Sequence, residues 1–148
     1  MEFRILKTKE ELKLAFALRE EVFVDEQKVP LEYEVDEKDS LNNTLHVGVF
    51  EDGEILATAR IMDFNKNVVR FGRACVKKSC RGKGVGKFLF INMEETVKNS
   101  KNNDEKKTIK FSAQYHAMTF YEMLGYSKDN DDVFVEFGIE HIAMSKVV

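Results

Sequence analysis

Gly82, Gly84 and Gly86 stand between a strand-like run that ends at Val76 and a helix-like run that begins near Lys87, and no other stretch of the chain narrows its possible folds as much. Glycine has no Cβ, so such a loop turns tightly and lets a ligand approach its backbone. The helix behind it offers unpaired N–H groups and a partial positive charge. Arg81, Lys83 and Lys87 add full charges. The combination suits a phosphate or diphosphate. Two common nucleotide loops fail on spacing. For the pair Gly86-Lys87, a Walker A loop requires glycine at position 81, which is Arg, and a hydroxyl after Lys87, where Phe88 stands. A Rossmann fingerprint that starts at Gly82 and Gly84 requires its third glycine where Lys87 is found. What remains is Arg81-x-x-Gly84-x-Gly86.

Periodicity places this loop within a mixed architecture. Phe3–Leu6 reads as a short strand, and Thr8 with Glu11 forms a capping-box pair ahead of a helix that runs to about Phe23. Val29-Pro30 interrupts it, and Leu31–Ser40 is a helical turn or loop. Strands are predicted at His46–Phe50, Ile55–Asp63 and Val68–Val76, joined by turns at Glu51-Asp52-Gly53 and Asn65-Lys66-Asn67. After the glycine loop, Leu89, Phe90, Met93 and Val97 mark one helix face. Thr108–Ala113 is a strand, and His116–Leu124 is a helix that stops at Gly125. Val133–Phe137 and Ile142–Val147 are strands around a turn at Gly138. This order predicts an α/β layer fold, a mixed central sheet with an antiparallel meander flanked by helices. With 148 residues, one proline and no linker-like stretch, the chain is expected to form a single domain over 1–148.

Three segments together resemble the GNAT N-acetyltransferases, the acyl-CoA N-acyltransferase fold. Gly72–Val76 with Arg81–Gly86 is similar to their motif A. Ala117–Tyr126, with Phe120-Tyr121-Glu122 at its centre, is similar to motif B. Arg19-x-x-Val22-Phe23-Val24-x-Glu26-Gln27-x-Val29-Pro30 and Glu136-x-Gly138-Ile139-x-His141-Ile142-x-Met144 resemble the ElaA/YjcF-like branch, which typically has Pro in place of Glu140. The resemblance implies acetyl-CoA (coenzyme A) as acyl donor. It implies a strand that splays at a bulge, so that backbone at Ala74, Cys75 and Val76 meets the pantetheine arm. The diphosphate would rest on Gly82, Lys83, Gly84, Val85, Gly86 and Lys87, with Arg81 beside it.

The implied chemistry is direct attack by an amine on the thioester. Tyr121, at the motif B tyrosine, would serve as acid to the departing thiolate and contact the cofactor. Glu26 is the first expectation for the base, with Glu34, Asp36 and His141 as alternatives and a water relay as another. Arg19, Phe23, Gln27, Glu34, Asp36 and His141 are expected to face the acceptor. Gln114, beside the strand end, is placed to bond polar groups of a ligand.

Charge distribution adds to this reading. No acidic residue lies between Phe64 and Met93, whereas Arg19–Asp39 is dominated by Glu and Asp. The acidic segment suggests a cationic small amine. The net charge of −3 argues against a nucleic-acid partner. No apolar run suits a membrane span and Met1–Arg4 lacks a signal-peptide core, so a cytoplasmic protein is expected. Cys75 and Cys80 have no partners at metal-ligand spacing, and no metal is expected. Exposed strand edges leave room for a homodimer. Transfer to protein lysines or N-termini, and acyl-CoA binding without turnover, are the alternative functions.

Overall fold

In the computed structural model, which describes residues 1–148, eight strands join one sheet in the order β1-β2-β3-β4-β5-β8-β6, with β7 also paired to β8. The strands are β1 (Glu2–Ile5), β2 (Leu45–Glu51), β3 (Glu54–Met62), β4 (Val68–Val76), β5 (Thr108–Gln114), β6 (Ser127–Lys128), β7 (Phe134–Glu136) and β8 (Ile139–Val147). β1 to β4 form the antiparallel meander, β4 and β5 are parallel, and β8 returns antiparallel to β5. The two-residue β6 is too short to carry a periodic signal and was not expected.

Helices cover both faces. α3 (Val85–Asn99) lays Leu89, Phe90, Met93 and Val97 onto Val47, Val49, Ile61, Val69 and Ile109 of the sheet. Each of these α3 side chains is at most 3% exposed, and such burial contributes roughly 2 kcal/mol per residue. α1 (Lys9–Arg19) packs on the opposite face and begins with both halves of the Thr8/Glu11 capping box. It does not continue as an α-helix to Phe23. From Glu20 to Glu26 the chain widens into a π-helix, in which Gln27 N–H reaches the Val22 carbonyl at 3.1 Å. Such wide turns occur mostly as single local insertions, often at functional sites. This one turns Phe23 and Gln27 toward a cleft while Val22 stays packed with Leu18 and Cys75. α2 (Leu31–Glu34) and a 3₁₀ turn (Glu37–Ser40) follow. α4 (Met118–Met123) is entered through a 3₁₀ turn at Tyr115–Ala117.

Two features of β4 open the sheet. Its register against β3 jumps between Thr58↔Cys75 and Arg60↔Gly72, so β4 carries an extra residue. Arg73 takes φ +50° there, a left-handed conformation that costs a non-glycine residue about 1 kcal/mol. The bulge flips the side-chain phase. Val69 and Phe71 face α3, whereas Cys75 joins the α1 cluster. The β4–β5 ladder also ends early, with Arg70↔Lys110 as its last rung. Both strands run on, and the β5-facing edge of residues 71–76 has no strand partner.

Candidate active site

The gap between the diverging strands is a cleft of about 880 Å³ that passes from the start of α3 to the α1/α2 side of the sheet. One end is built by the glycine loop. Gly82 and Gly84 have φ +77° and +81°, and a Cβ on either would meet nothing within 4 Å. Glycine is therefore required by the backbone, and the space beside it is free. Gly84 is the N-cap of α3 and offers no side-chain cap, and the first turn holds Lys87 and no acid. Helix N-termini ordinarily attract acidic residues, so this one is left open to an anion. At Gly86 a Cβ would stand 3.4 Å from Phe120, which fits close packing of the helix start against motif B.

Most residues expected at the cofactor line this cleft: Ala74, Cys75, Val76, Arg81, Gly82, Gly84, Val85, Gly86, Lys87 and Tyr121. Lys83 does not; its side chain is outside the wall, which leaves it a backbone amide and a more distant charge. The Arg81 guanidinium is already engaged. It makes a two-point ion pair with Glu26 at 2.9 and 3.0 Å, and its Nε–H donates to the Val76 carbonyl at 3.1 Å. The open edge, the free glycine cradle and the uncapped helix fit an extended ligand with a diphosphate at one end.

Tyr121 sits against Phe90, Phe111 and Phe120, with ring centroids 4.7–5.1 Å away. Burial pushes its phenol up to about 12, so it keeps its proton at neutral pH. Burial likewise pushes the Cys75 thiol up to about 12. Such a thiol is a poor nucleophile.

Glu26 requires a correction. Its carboxylate does not line the cleft and is held by Arg81 at the cleft's outer rim. Arg81 thus occupies both carboxylate oxygens of Glu26, and the structure does not bring that side chain into the cleft where the sequence placed it. Arg19, Glu34 and Asp36 also stand elsewhere than expected. None lines the cleft. They belong to a network beneath its floor, in which Arg19 pairs with Glu34 at 3.0 Å and with Asp39 at 2.8 Å. Arg60 pairs with Asp36 at 2.8 Å and Asp39 at 2.9 Å, and Arg73 approaches Glu34 at 3.3 Å. Arg19 and Glu34 are only 1% and 2% exposed, so neither reaches a ligand. Arg73 also donates to the Tyr33 and Glu34 carbonyls, which ties α2 to the bulge.

Phe23, Gln27 and His141 do face the cleft. Gln114 Nε2–H donates to Gln27 Oε1 at 2.8 Å, and the Gln114 oxygen faces His116 Nε2 at 2.8 Å. These three residues also wall a smaller hollow of about 450 Å³. Tyr33 of α2 meets Phe137 of the β7–β8 turn at 5.4 Å. His141 Nδ1 lies 2.8 Å from the Ile139 carbonyl. A carbonyl only accepts, so Nδ1 carries the hydrogen and Nε2 of the neutral ring carries the lone pair.

Sequence reasoning missed Lys38, Arg60, Arg70 and Lys110, which all line the cleft. Strand alternation held the signal. Arg60 interrupts the apolar run of β3, and Arg70 and Lys110 occupy the polar phase of β4 and β5.

A family model described as "Acetyltransferase (GNAT) domain" matches residues 7–148. The chain is 36% identical over 142 residues to the uncharacterized N-acetyltransferase YjcF of Bacillus subtilis, with 96% of each chain covered. The crystal structure of Escherichia coli ElaA superposes with a TM-score of 0.85 at 29% identity, over 98% of both chains. An acyl-CoA N-acyltransferase from Pseudomonas aeruginosa superposes with a TM-score of 0.85 at 28% identity, over 99% of both.

Proposed function

The chain belongs to the GNAT acetyltransferase family, and on that premise we propose that it moves an acetyl group from acetyl-CoA to the primary amine of a small molecule by direct attack. The observation that carries this reading is the split between β4 and β5. It joins a glycine-opened helix N-terminus at one end to a chamber lined by Gln27, Gln114 and His141 at the other. A small acceptor is supported by the Gln27–Gln114 contact, which ties the π-helix to the end of β5 across the wall that the cleft shares with the smaller hollow. The unreactive Cys75 thiol supports direct attack over a covalent acyl-enzyme. A cytoplasmic setting accords with two free thiols and with no helix long and apolar enough to cross a membrane. Exposed Val135 and Phe137 on the β7 edge would suit pairing of two copies.

Acetyl-CoA supplies a thioester, an acyl group on a good leaving thiol. The amides of residues 82–87 would hold its diphosphate, and the unpaired edge of residues 74–76 its pantetheine amides. Tyr121 would donate a hydrogen bond to the departing sulfur. A phenol at about 12 lies roughly 3.5 units above an ordinary alkyl thiol near 8.5. Full proton transfer to a thiolate is therefore uphill by about 5 kcal/mol. Tyr121 accordingly acts as a hydrogen-bond donor to developing charge more than as a proton source. His141 Nε2 would take the proton of the incoming amine, with Gln114 and Gln27 orienting the acceptor.

Isothermal titration with acetyl-CoA, followed by an amine screen read by thiol release, tests the reading. Gly84→Trp is the control, because its side chain would fill the free space beside the loop. Micromolar binding that the control abolishes, followed by amine-dependent thiol release, is the expected result. Binding without release from any amine would leave a binding module and refute the transferase mechanism.

A further inference from the structure

The acidic run between Arg19 and Asp39 suggested a cationic acceptor, and the structure removes the basis for that. Glu34, Asp36 and Asp39 are each engaged by Arg19, Arg60 or Arg73, and none lines the cleft. The lining itself has the opposite sign. Away from the glycine loop it holds Lys38, Arg60, Arg70, Arg73 and Lys110, and its one acidic residue is Glu136. Arg60 and Arg73 are balanced by the buried carboxylates, and Lys110 by Asp129 at 2.9 Å. The Arg70 and Lys38 side chains have no ion-pair partner within the chain.

Arg70 opposes Lys110 in the last rung of the β4–β5 ladder. Both side chains leave the same face, because Val69, Phe71, Ile109 and Phe111 are buried on the other. Lys110 is held by Asp129, which leaves Arg70 as the cation of this rung without a partner, and an anion bound beside it would supply one. Arg60 gives an independent sign. It is 3% exposed and lines the cleft, yet its Nε–H has no acceptor. A Cβ on the neighbouring Gly72 would come within 3.4 Å of that Nε and 2.9 Å of Met62 Cε. Gly72 therefore lets the Arg60 and Met62 side chains lie directly against the β4 backbone.

We infer that the acceptor carries an oxyanion, a carboxylate or phosphate, in addition to its amine, and that Arg70, beside Lys110 in the wall that Lys38 also lines, binds it. The inference rests on the acetyltransferase reading above and narrows its acceptor to amino-carboxylates or amino-phosphates, in place of purely cationic amines.

Matched acceptors test it: β-alanine against β-alaninamide, and phosphoethanolamine against ethanolamine, with wild type and Arg70→Ala. The expected result is that kcat/KM favours an anionic member by about ten- to a hundredfold. That ratio should collapse toward one in Arg70→Ala, and the pair that shows it identifies the oxyanion. A wild-type ratio near or below one, or a ratio that survives the substitution, overturns the inference. Arg70 is exposed and pairs with no acid, so an unchanged Tm reports an intact fold. Should acetyl-CoA bind while no amine is acetylated, the transferase mechanism fails by itself. The subsite is then read by titrating each anionic amine into CoA-loaded wild type and variant. Binding that depends on Arg70 supports it, and absence of binding overturns it.

Discussion

Asp39→Asn should be among the most destabilising single substitutions in this protein, although Asp39 touches no ligand. Its side chain is 3% exposed. It accepts from Arg19 at 2.8 and 3.1 Å, from Arg60 at 2.9 Å and from the Asp36 backbone N–H at 3.0 Å. Asparagine keeps the shape but replaces one accepting oxygen with a donor and removes the charge. Arg19, Arg60 and Arg73 then face only Glu34 and Asp36, and one buried positive charge is uncompensated. Breaking a buried pair in this way costs about 3–5 kcal/mol, a large share of the roughly 5–15 kcal/mol that holds a domain together. At about 2–4 °C per kcal/mol for a chain near this size, Tm should fall by roughly 6–20 °C. Thermal unfolding and urea midpoints measure it. Asp36→Asn is the comparison, because that side chain is 26% exposed and its loss is partly met by water; about 1 kcal/mol is expected. A loss below about 1 kcal/mol for Asp39→Asn would refute the reasoning. Acid offers a second readout. Burial alone would raise the Asp39 pKa, but hydrogen bonds and charge from Arg19 and Arg60 reverse this and hold it well below the carboxylate range. The unfolded chain therefore binds a proton that the folded chain refuses. The stabilisation is complete above about pH 4 and is lost as pH falls toward the folded pKa. Wild type should lose Tm more steeply below pH 4 than Asp39→Asn does.

Tyr121→Phe should lower kcat by about 10²–10³ while acetyl-CoA affinity stays within about twofold; an unchanged kcat would remove Tyr121 from the chemistry. His141→Asn should lower kcat by about 10² or more, whereas Glu26→Gln should change kcat less than about fivefold and tighten acetyl-CoA binding slightly, because it releases Arg81 from a half-exposed pair. The reverse ranking in steady-state assays would restore Glu26 as the base. Cys75 is 7% exposed with a raised pKa, so iodoacetamide should label Cys80 in the folded protein and Cys75 only on unfolding, as peptide mapping would show.

The parts of the site legible in the sequence are those that local backbone encodes. Gly82 and Gly84 had to be glycine because of their own φ angles, and their spacing could be read directly. β4 runs from Val68 to Val76 as its alternation predicts, up to a bulge that periodicity does not show. The π-helix at Glu20–Glu26 was not legible, because a 3.6-residue pattern and a locally widened one differ by a single residue over two turns. The partners of the acidic segment were not legible either. Arg60 and Arg73 lie 21–40 residues from the groups they bond. Composition therefore marked Glu34 and Asp36 as free charge, when long-range pairing had already consumed them.

That pairing accounts for a segment that could not order itself. α2 is four residues long, far below the length at which a helix holds in water, and Tyr33, which meets Phe137, belongs to it. Two attachments fix it. Arg73 donates to the Tyr33 and Glu34 carbonyls from the bulge, and Arg19 takes the Glu34 carboxylate and carbonyl from α1. Both guanidiniums are anchored in elements that the core already holds, so the segment inherits its position from them. The bulge that opens the sheet therefore also carries Arg73, the residue that fastens α2. A buried ion network is weak evidence for stability, and its best-attested use is to select one arrangement over others. Here the selected arrangement places Tyr33 against Phe137. The same pairing withdraws three carboxylates from the cleft, which leaves its wall positively charged.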